Sequence, residues 1–426
     1  MRIVWGWQSS LTIQLALAGL AIPTASTCLA QTTASQTTAS QTTASQTTAL
    51  LSTAQNLHEA VEIAVRLSPE AASLPALKDQ ASALNRAGRG PFSGPPVASA
   101  DVLTRSSGFI EQEGSVSVGL RWPGERSAVR AWADGTSAAA DAGFDAAGLR
   151  IAGEVRAAWW ALASARAMVA VNRNQLAIAE ITAKQVSRLV GAGEQSQRDL
   201  LLAQGDASAA EIRLGQAESE LARAEAVFVA MAGPPPADMP PEILATASDI
   251  EENPALRAAI ARASAAYARA RALDYEARGR LEAQVGARRE QIGLNQGSAT
   301  ALMVGIRVPL GQNQIGVADA AAARSQALTA NAESARLRAR LVAEQFAARR
   351  RLEFARNALH SADARQTALA QSFRLTEKGQ REGEIGLIEA LRARQSLSES
   401  ERDFATAQNA NAAAISAYNQ AMGVMP

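Results

Sequence analysis

The sequence predicts a mainly α-helical protein of two tandem repeats, each pairing a long helical hairpin with a small β-hairpin. Three observations predict it. Two windows, Gly124 to Gly233 and Leu310 to Met425, contain no proline. Each is broken by a glycine turn of one form, Gly193-Glu194 and Gly383-Glu384, with an acid six positions after the glycine, Asp199 and Glu389. Each is also preceded by an alternating stretch that ends at a proline, Ser115 to Trp122 before Pro123 and Ala301 to Val308 before Pro309.

The elements follow in chain order. Residues 1–30 read as an export signal: Arg2 supplies a positive start and Leu11 to Ile22 an apolar core too short to span a bilayer. Cys28-Leu29-Ala30 is a small-x-small cleavage site that leaves Gln31 as the mature end, and lipidation of Cys28 is the rival reading. Cys28 is the only cysteine, so a disulfide framework is excluded. Residues 31–54 repeat Gln-Thr-Thr-Ala-Ser and are expected to form a disordered lead-in. Leu57, Val61, Ala64 and Val65 have helical spacing, which Ser68-Pro69 interrupts.

The first repeat is placed at 55–240, with strands near 97–105 and 115–122 and a helical hairpin over 124–233. The second is placed at 241–426, with strands near 280–290 and 300–308 and a hairpin over 311–423. An interior proline costs a helix about 3 kcal/mol, so proline-free windows are where very long helices can exist. Leu200, Ala203, Ala207, Ala210, Leu214, Ala217, Leu221, Ala224 and Phe228 form a heptad seam. Ala390, Ala393, Leu397, Phe404, Ala407 and Tyr418 keep much of it, and Asn411 breaks it. The first arms, about Arg126 to Val190 and about Gln314 to Lys378, would each be roughly 95 Å long at about 1.5 Å per residue. Gly135, Gly143, Gly148 and Gly153 mark where the first arm is expected to kink.

The alternating stretches are apolar on one face only. Leu302, Val304, Ile306 and Val308 do this in the second repeat, and Leu281, Ala283, Val285 and Ala287 precede them in the same pattern. That is the length and pattern of a transmembrane β-barrel strand. Four strands cannot close a barrel, and an open edge is not tolerated in lipid, so a membrane setting demands three chains and twelve strands. The alternative is a soluble four-stranded sheet capping a helical stalk.

These features together resemble the TolC-type outer-membrane efflux proteins, from about Leu57 to Gly423. The resemblance is carried by the strand exits Val118 to Pro123 and Val304 to Pro309 and by the two helical turns. Leu120-Arg121-Trp122-Pro123-Gly124-Glu125-Arg126 also resembles the start of the long helix in the CzcC-like heavy-metal branch. The resemblance implies a homotrimer in the Gram-negative outer membrane, with a trimeric α-helical barrel reaching into the periplasm from a twelve-stranded β-barrel. It implies an exit duct served by a periplasmic adaptor and an inner-membrane RND-type transporter, exporting heavy-metal cations or, alternatively, drugs and other small molecules. The adaptor-docking tips it implies are Gly191, Ala192, Gly193, Glu194, Gln195 and Ser196, and Glu382, Gly383, Glu384, Ile385 and Gly386. The pore entrance falls on Glu389, with Arg392 where the family has a second acid, and Asp199 is the retained partner of an inter-helix lock. The lock's Tyr and Arg positions hold Gln380 and Ile385, so this lock is expected to be missing. From the residues alone, Glu389 and Arg392 also fit an ordinary solvent-facing i,i+3 pair, and Asp199 a first-turn acid favoured by the helix dipole.

The balance of 42 basic and 41 acidic residues argues against a nucleic-acid partner. His58 and His360 stand apart with no ligand-spaced cysteine or acid, and Gly191-Ala192-Gly193 lacks the strand and lysine of a phosphate loop. No enzyme, cofactor or metal site is therefore expected. An exported coiled-coil stalk and a periplasmic adaptor are the remaining classes. The first leaves the doubled strand–proline–helix order unexplained, and the second has one helical hairpin, not two.

Overall fold

A helix, two strands and a long helical hairpin follow one another in both halves of the chain, and the first half carries one further helix in front. A computed structural model describes residues 54–105, 109–246, 249–291, 297–382 and 384–426. The export signal and nearly all of the lead-in lie outside these residues. Ala54, assigned to the lead-in, is instead fully buried in the core. The first half runs α1 (Leu57–Arg66), α2 (Pro69–Arg89), β1 (Val97–Thr104), β2 (Ile110–Leu120), α3 (Glu125–Gly191) and α4 (Gln197–Ala232). The second runs α5 (Pro254–Glu276), β3 (Leu281–Gln291), β4 (Ser298–Arg307), α6 (Gln314–Arg381) and α7 (Leu387–Ala421).

Ser68-Pro69 ends α1 as expected, but it also begins α2. The Ser68 hydroxyl accepts from Ala71 N at 3.2 Å, and Pro69 sits in the first turn, where no N–H is needed. The long arms are longer than expected. α3 has 67 residues and α6 has 68, about 100 Å each. The glycines of α3 do not break it; they let neighbours approach. A Cβ on Gly135 would lie 3.1 Å from Ala265 Cα of α5, and one on Gly153 would lie 2.9 Å from Gln420 Nε2 of α7.

Buried positions repeat every seven residues: Ala133, Ala140 and Ala147 on α3, Ala320, Ala327, Ser334, Leu341, Ala348 and Ala355 on α6. A strict seven-residue period winds helices into a left-handed supercoil, and alanine at the contact lets them pack closely. α3 packs against α2, α4, α5 and α7, and α6 against α5 and α7. On α7, Asn411 occupies the seam in register with Leu397 and Tyr418, and its Oδ1 is buried without a hydrogen-bond partner. The main core lies at mid-length of α3, where α1 closes over α3 and α4. Trp159 and Phe228 are fully buried there, with ring centroids 6.0 Å apart.

The four strands form one antiparallel sheet in the order β1-β2-β3-β4, so the two repeats join through β2 and β3. Ala98, Val116, Val285 and Val304 form one row across it, and Ala100, Gly114, Ala287 and Leu302 another on the same face. The other face carries Ser99 against Ser115, 2.7 Å between hydroxyls, and Arg307 against Glu282 at 2.9 Å. β2 starts at Ile110, five residues before the expected Ser115. The extra residues were hidden because Glu111 and Glu113 occupy the polar face, where only Ile110 marks the apolar one. Glu111 is paired with Arg288.

β2 hands over to α3 through a built turn. Gly124 has φ +89° beneath the Tyr275 hydroxyl, Arg121 pairs with Glu125 at 2.6 Å, and Trp122 Nε1 donates to Gly279 O at 2.9 Å. Arg121, Arg126 and Arg130 donate to the carbonyls of Ala87, Arg89 and Gly88, respectively, capping the C-terminus of α2.

Candidate functional site

The two glycine turns lie at the ends of α3 and α6 remote from the sheet. In the first, Gly193 has φ +82°, Glu194 N donates to Leu189 O at 2.9 Å, and Gly193 N donates to Val190 O at 3.0 Å. This is a Schellman stop, which satisfies the last carbonyls of α3 and requires a residue tolerant of left-handed backbone. The second turn repeats the long bond, Glu384 N to Gly379 O at 2.9 Å. Gly383, the counterpart of Gly193, lies outside the described residues.

Gly193→Ala is expected to strain this stop by about 1–2 kcal/mol. Hydrogen exchange of residues 189–199 should quicken for that variant and stay level or slow for Gly191→Ala, since Gly191 is helical with open space around it.

The helices that leave the turns begin differently. Ser196 caps α4: its hydroxyl accepts from Asp199 N at 3.2 Å and donates to Asp199 Oδ2 at 2.7 Å, and Asp199 Oδ2 accepts from Ser196 N at 3.4 Å. Asp199 is thus held in the capping box of its own helix. At the equivalent place α7 has Gly386, which has no side chain to cap with, and Glu389. Glu389 is exposed and makes no ion pair or hydrogen bond through its carboxylate among the described residues. Arg392 is likewise exposed, and no ion pair joins it to Glu389 among the described residues.

Gly191, Ala192, Gly193, Glu194 and Ser196 are exposed at the first turn, and Gln195 is half-buried. Glu382, Glu384 and Gly386 are exposed at the second. Ile385 differs: it folds back over Gly379, where an added Cβ would lie 2.8 Å from Ile385 Cδ1. The first turn has Leu189 and Gln195 at these positions, so the apolar fold-back belongs to the second turn alone. Gln380 is half-buried.

The structure also joins the two turns, which spacing alone left separate. Leu387, the first residue of α7, packs with Val186 of α3 and Ala203 of α4, flanked by Leu200 and Leu391. Glu389 therefore sits on a helix anchored to both hairpins. The heptad position of Ala203 was visible in the sequence; its partner across the repeats was not.

His58 and His360 are exposed on helices; His58 Nδ1 lies 2.7 Å from Pro426 O and Nε2 3.4 Å from Glu62. Among the described residues no group of three or more His, Cys, Asp or Glu is placed to hold a metal ion. Among the described residues no helix is long and apolar enough to cross a membrane.

No protein-family model matches the chain, and no curated protein matches it in sequence. Solved structures match it in fold. The outer membrane protein VceC of Vibrio cholerae is 18% identical with a TM-score of 0.68, covering 86% of this chain and 96% of its own. CusC, described in terms of transmembrane channel formation, is 14% identical with a TM-score of 0.68, covering 87% and 92%. The open state of the MtrE outer membrane channel of Neisseria gonorrhoeae is 17% identical with a TM-score of 0.65, covering 87% and 89%. With two long helical hairpins on one four-stranded sheet, the chain has the fold of these outer-membrane channels along nearly their whole length.

Proposed function

We propose that this chain is the outer-membrane channel, the exit duct, of a tripartite efflux pump. It acts as a homotrimer in the Gram-negative outer membrane, with its helices in the periplasm. One observation carries the reading: a four-stranded sheet, apolar on one face, open at β1 and β4 and continued by helices about 100 Å long. Leu302, Val304 and Ile306 on the edge strand are 83, 85 and 68% exposed. Open edges and bare apolar rows of this kind are satisfied together when three copies close a twelve-stranded barrel in lipid. Leu328, Phe346, Phe354 and Leu375 stand exposed on α6 and suit the same association.

In that trimer the glycine turns are the periplasmic tips, at which the adaptor docks, and Glu389 lines the entrance. Three unpaired carboxylates converging on an axis favour cations, and Arg392 one turn further tempers them. Conduction is passive, and the duct passes what an inner-membrane RND-type transporter delivers. Heavy-metal cations are the first reading of the cargo, on the likeness of Leu120 to Arg126 to the CzcC-like branch, and drugs are the second.

The test is extraction and conductance. The protein should leave the outer membrane in detergent as a trimer and carry current in planar bilayers, and Glu389→Gln should reduce its cation preference. Recovery as a soluble monomer would sink the channel reading, and an unchanged preference would remove Glu389 from the entrance. Growth of a deletion strain on metals and on antibiotics separates the two cargo classes.

A further inference from the structure

Where the sheet meets the helices, a cavity of about 680 Å³ lies at the exit of β2. Its walls come from the end of α2, the start of α3, the end of α5 and Asn313 just ahead of α6. Leu120, in line with Val116 on the apolar face of β2, forms one edge. Phe92, bridged to Leu120, is 49% exposed, and Leu310, just past β4, is fully exposed. The cavity therefore borders the end of the apolar band, where a barrel passes from hydrocarbon to headgroups.

Charges line it without pairing to one another. Arg280 and Glu276 are both exposed in its wall, and neither side chain makes an ion pair or hydrogen bond among the described residues. The Arg121 side chain is only 10% exposed, and its Nε is buried without a hydrogen-bond partner. The two helix starts nearby differ. α3 has Glu125, whose Oε2 accepts from Trp122 N at 2.9 Å. The first turn of α6 has no acid, and Asn313 supplies no side-chain cap. Its leading N–H groups are thus left to attract an anion.

An uncapped helix start, an unpartnered buried Nε and a free guanidinium suit a phosphate. A free carboxylate beside the Trp132 and Tyr275 rings suits an ammonium. Arg121 and Arg280 against Glu125 and Glu276 leave the wall neutral, which favours a zwitterion over an anion.

We propose that this cavity takes the headgroup of a zwitterionic phospholipid of the phosphoethanolamine kind. The phosphate lies toward Arg280, Arg121 and the start of α6, the ammonium toward Glu276, and the acyl chains over Leu120 and Leu310. The proposal rests on the channel reading and adds to it one lipid per chain, from the leaflet that faces the periplasm.

The experiment uses the full-length trimer in detergent, with native mass spectrometry and thermal melts. Dioleoyl-phosphatidylethanolamine, dioleoyl-phosphatidylglycerol and inorganic phosphate are added in turn. The ethanolamine lipid should be retained at one copy per chain and raise the melting temperature more than the other two. Arg280→Gln should weaken its retention at least about tenfold, the loss of one charge-assisted hydrogen bond. Glu276→Gln should weaken the ethanolamine lipid and leave the glycerol lipid unchanged or tighter. Both side chains are exposed and unpaired, so lipid-free melts of the variants should match wild type. Equal retention by wild type and Arg280→Gln overturns the site, as does a loss that tracks a lowered lipid-free melting temperature. Equal binding of the two lipids overturns the zwitterion, and phosphate that stabilises as much as lipid overturns the lipid. If a conducting trimer retains no lipid, this site alone falls. If no trimer is recovered from the outer membrane, the channel reading falls with it.

Discussion

Val285→Arg is expected to keep the protein out of the outer membrane. Val285 lies at the middle of β3, in a row with Ala98, Val116 and Val304 across all four strands. An arginine at the midplane of a barrel's lipid face costs about 2–4 kcal/mol, and a trimer carries it three times. Gln284→Arg, one residue away, points to the opposite face, where Gln284 Nε2 donates to Ser115 Oγ at 3.0 Å. That variant should insert nearly as well as wild type. The measurement is the amount of trimer in the outer-membrane fraction for each. Equal loss in both would mean that the sheet does not present one face to lipid and one to a lumen.

Arg156→Met is expected to destabilise the folded chain by about 3–5 kcal/mol, the range for leaving one partner of a buried ion pair uncompensated. The Arg156 and Glu242 side chains are only 4% and 9% exposed. Arg156 Nε donates to Glu242 Oε1 at 3.0 Å, Nη1 to Gln420 Oε1 at 2.6 Å and Nη2 to Val424 O at 3.0 Å. Asn419 continues the network. Its Nδ2 donates to Ile243 O at 2.9 Å and its Oδ1 accepts from Ala245 N at 2.9 Å. One arginine on α3 thus fastens the segment joining the repeats and the end of α7. Denaturant unfolding should show the loss. Arg156→Met with Glu242→Gln should recover much of it, because no unpaired charge then remains buried. A loss in the double variant as large as in the single one would place the effect in packing.

The repeat architecture was legible because its signals are periodic. Alternation identified all four strands, the first of them weakly, and proline-free windows identified both long arms. Where a rule was read too narrowly, an element was cut short or missed. Pro69 was read as a stop although it starts α2, and the glutamates of β2 concealed a strand whose polar face takes charge. The site was legible in part. Gly193 and the acid six positions on were visible. That Asp199 is held by its own cap while Glu389 is left unpaired follows from Ser196 against Gly386, one residue in each repeat.

The sequence by itself determined two hairpins, their glycine turns and the face of each strand, because these depend on residues near one another in the chain. Only the tertiary structure decided what joins the repeats: β2 beside β3, Leu387 against Val186 and Ala203, and Arg156 beneath Gln420. Those contacts span from about one hundred and sixty to more than two hundred and sixty residues. A local period fixes which side of a helix or strand is buried, but not which distant side chain will cover it.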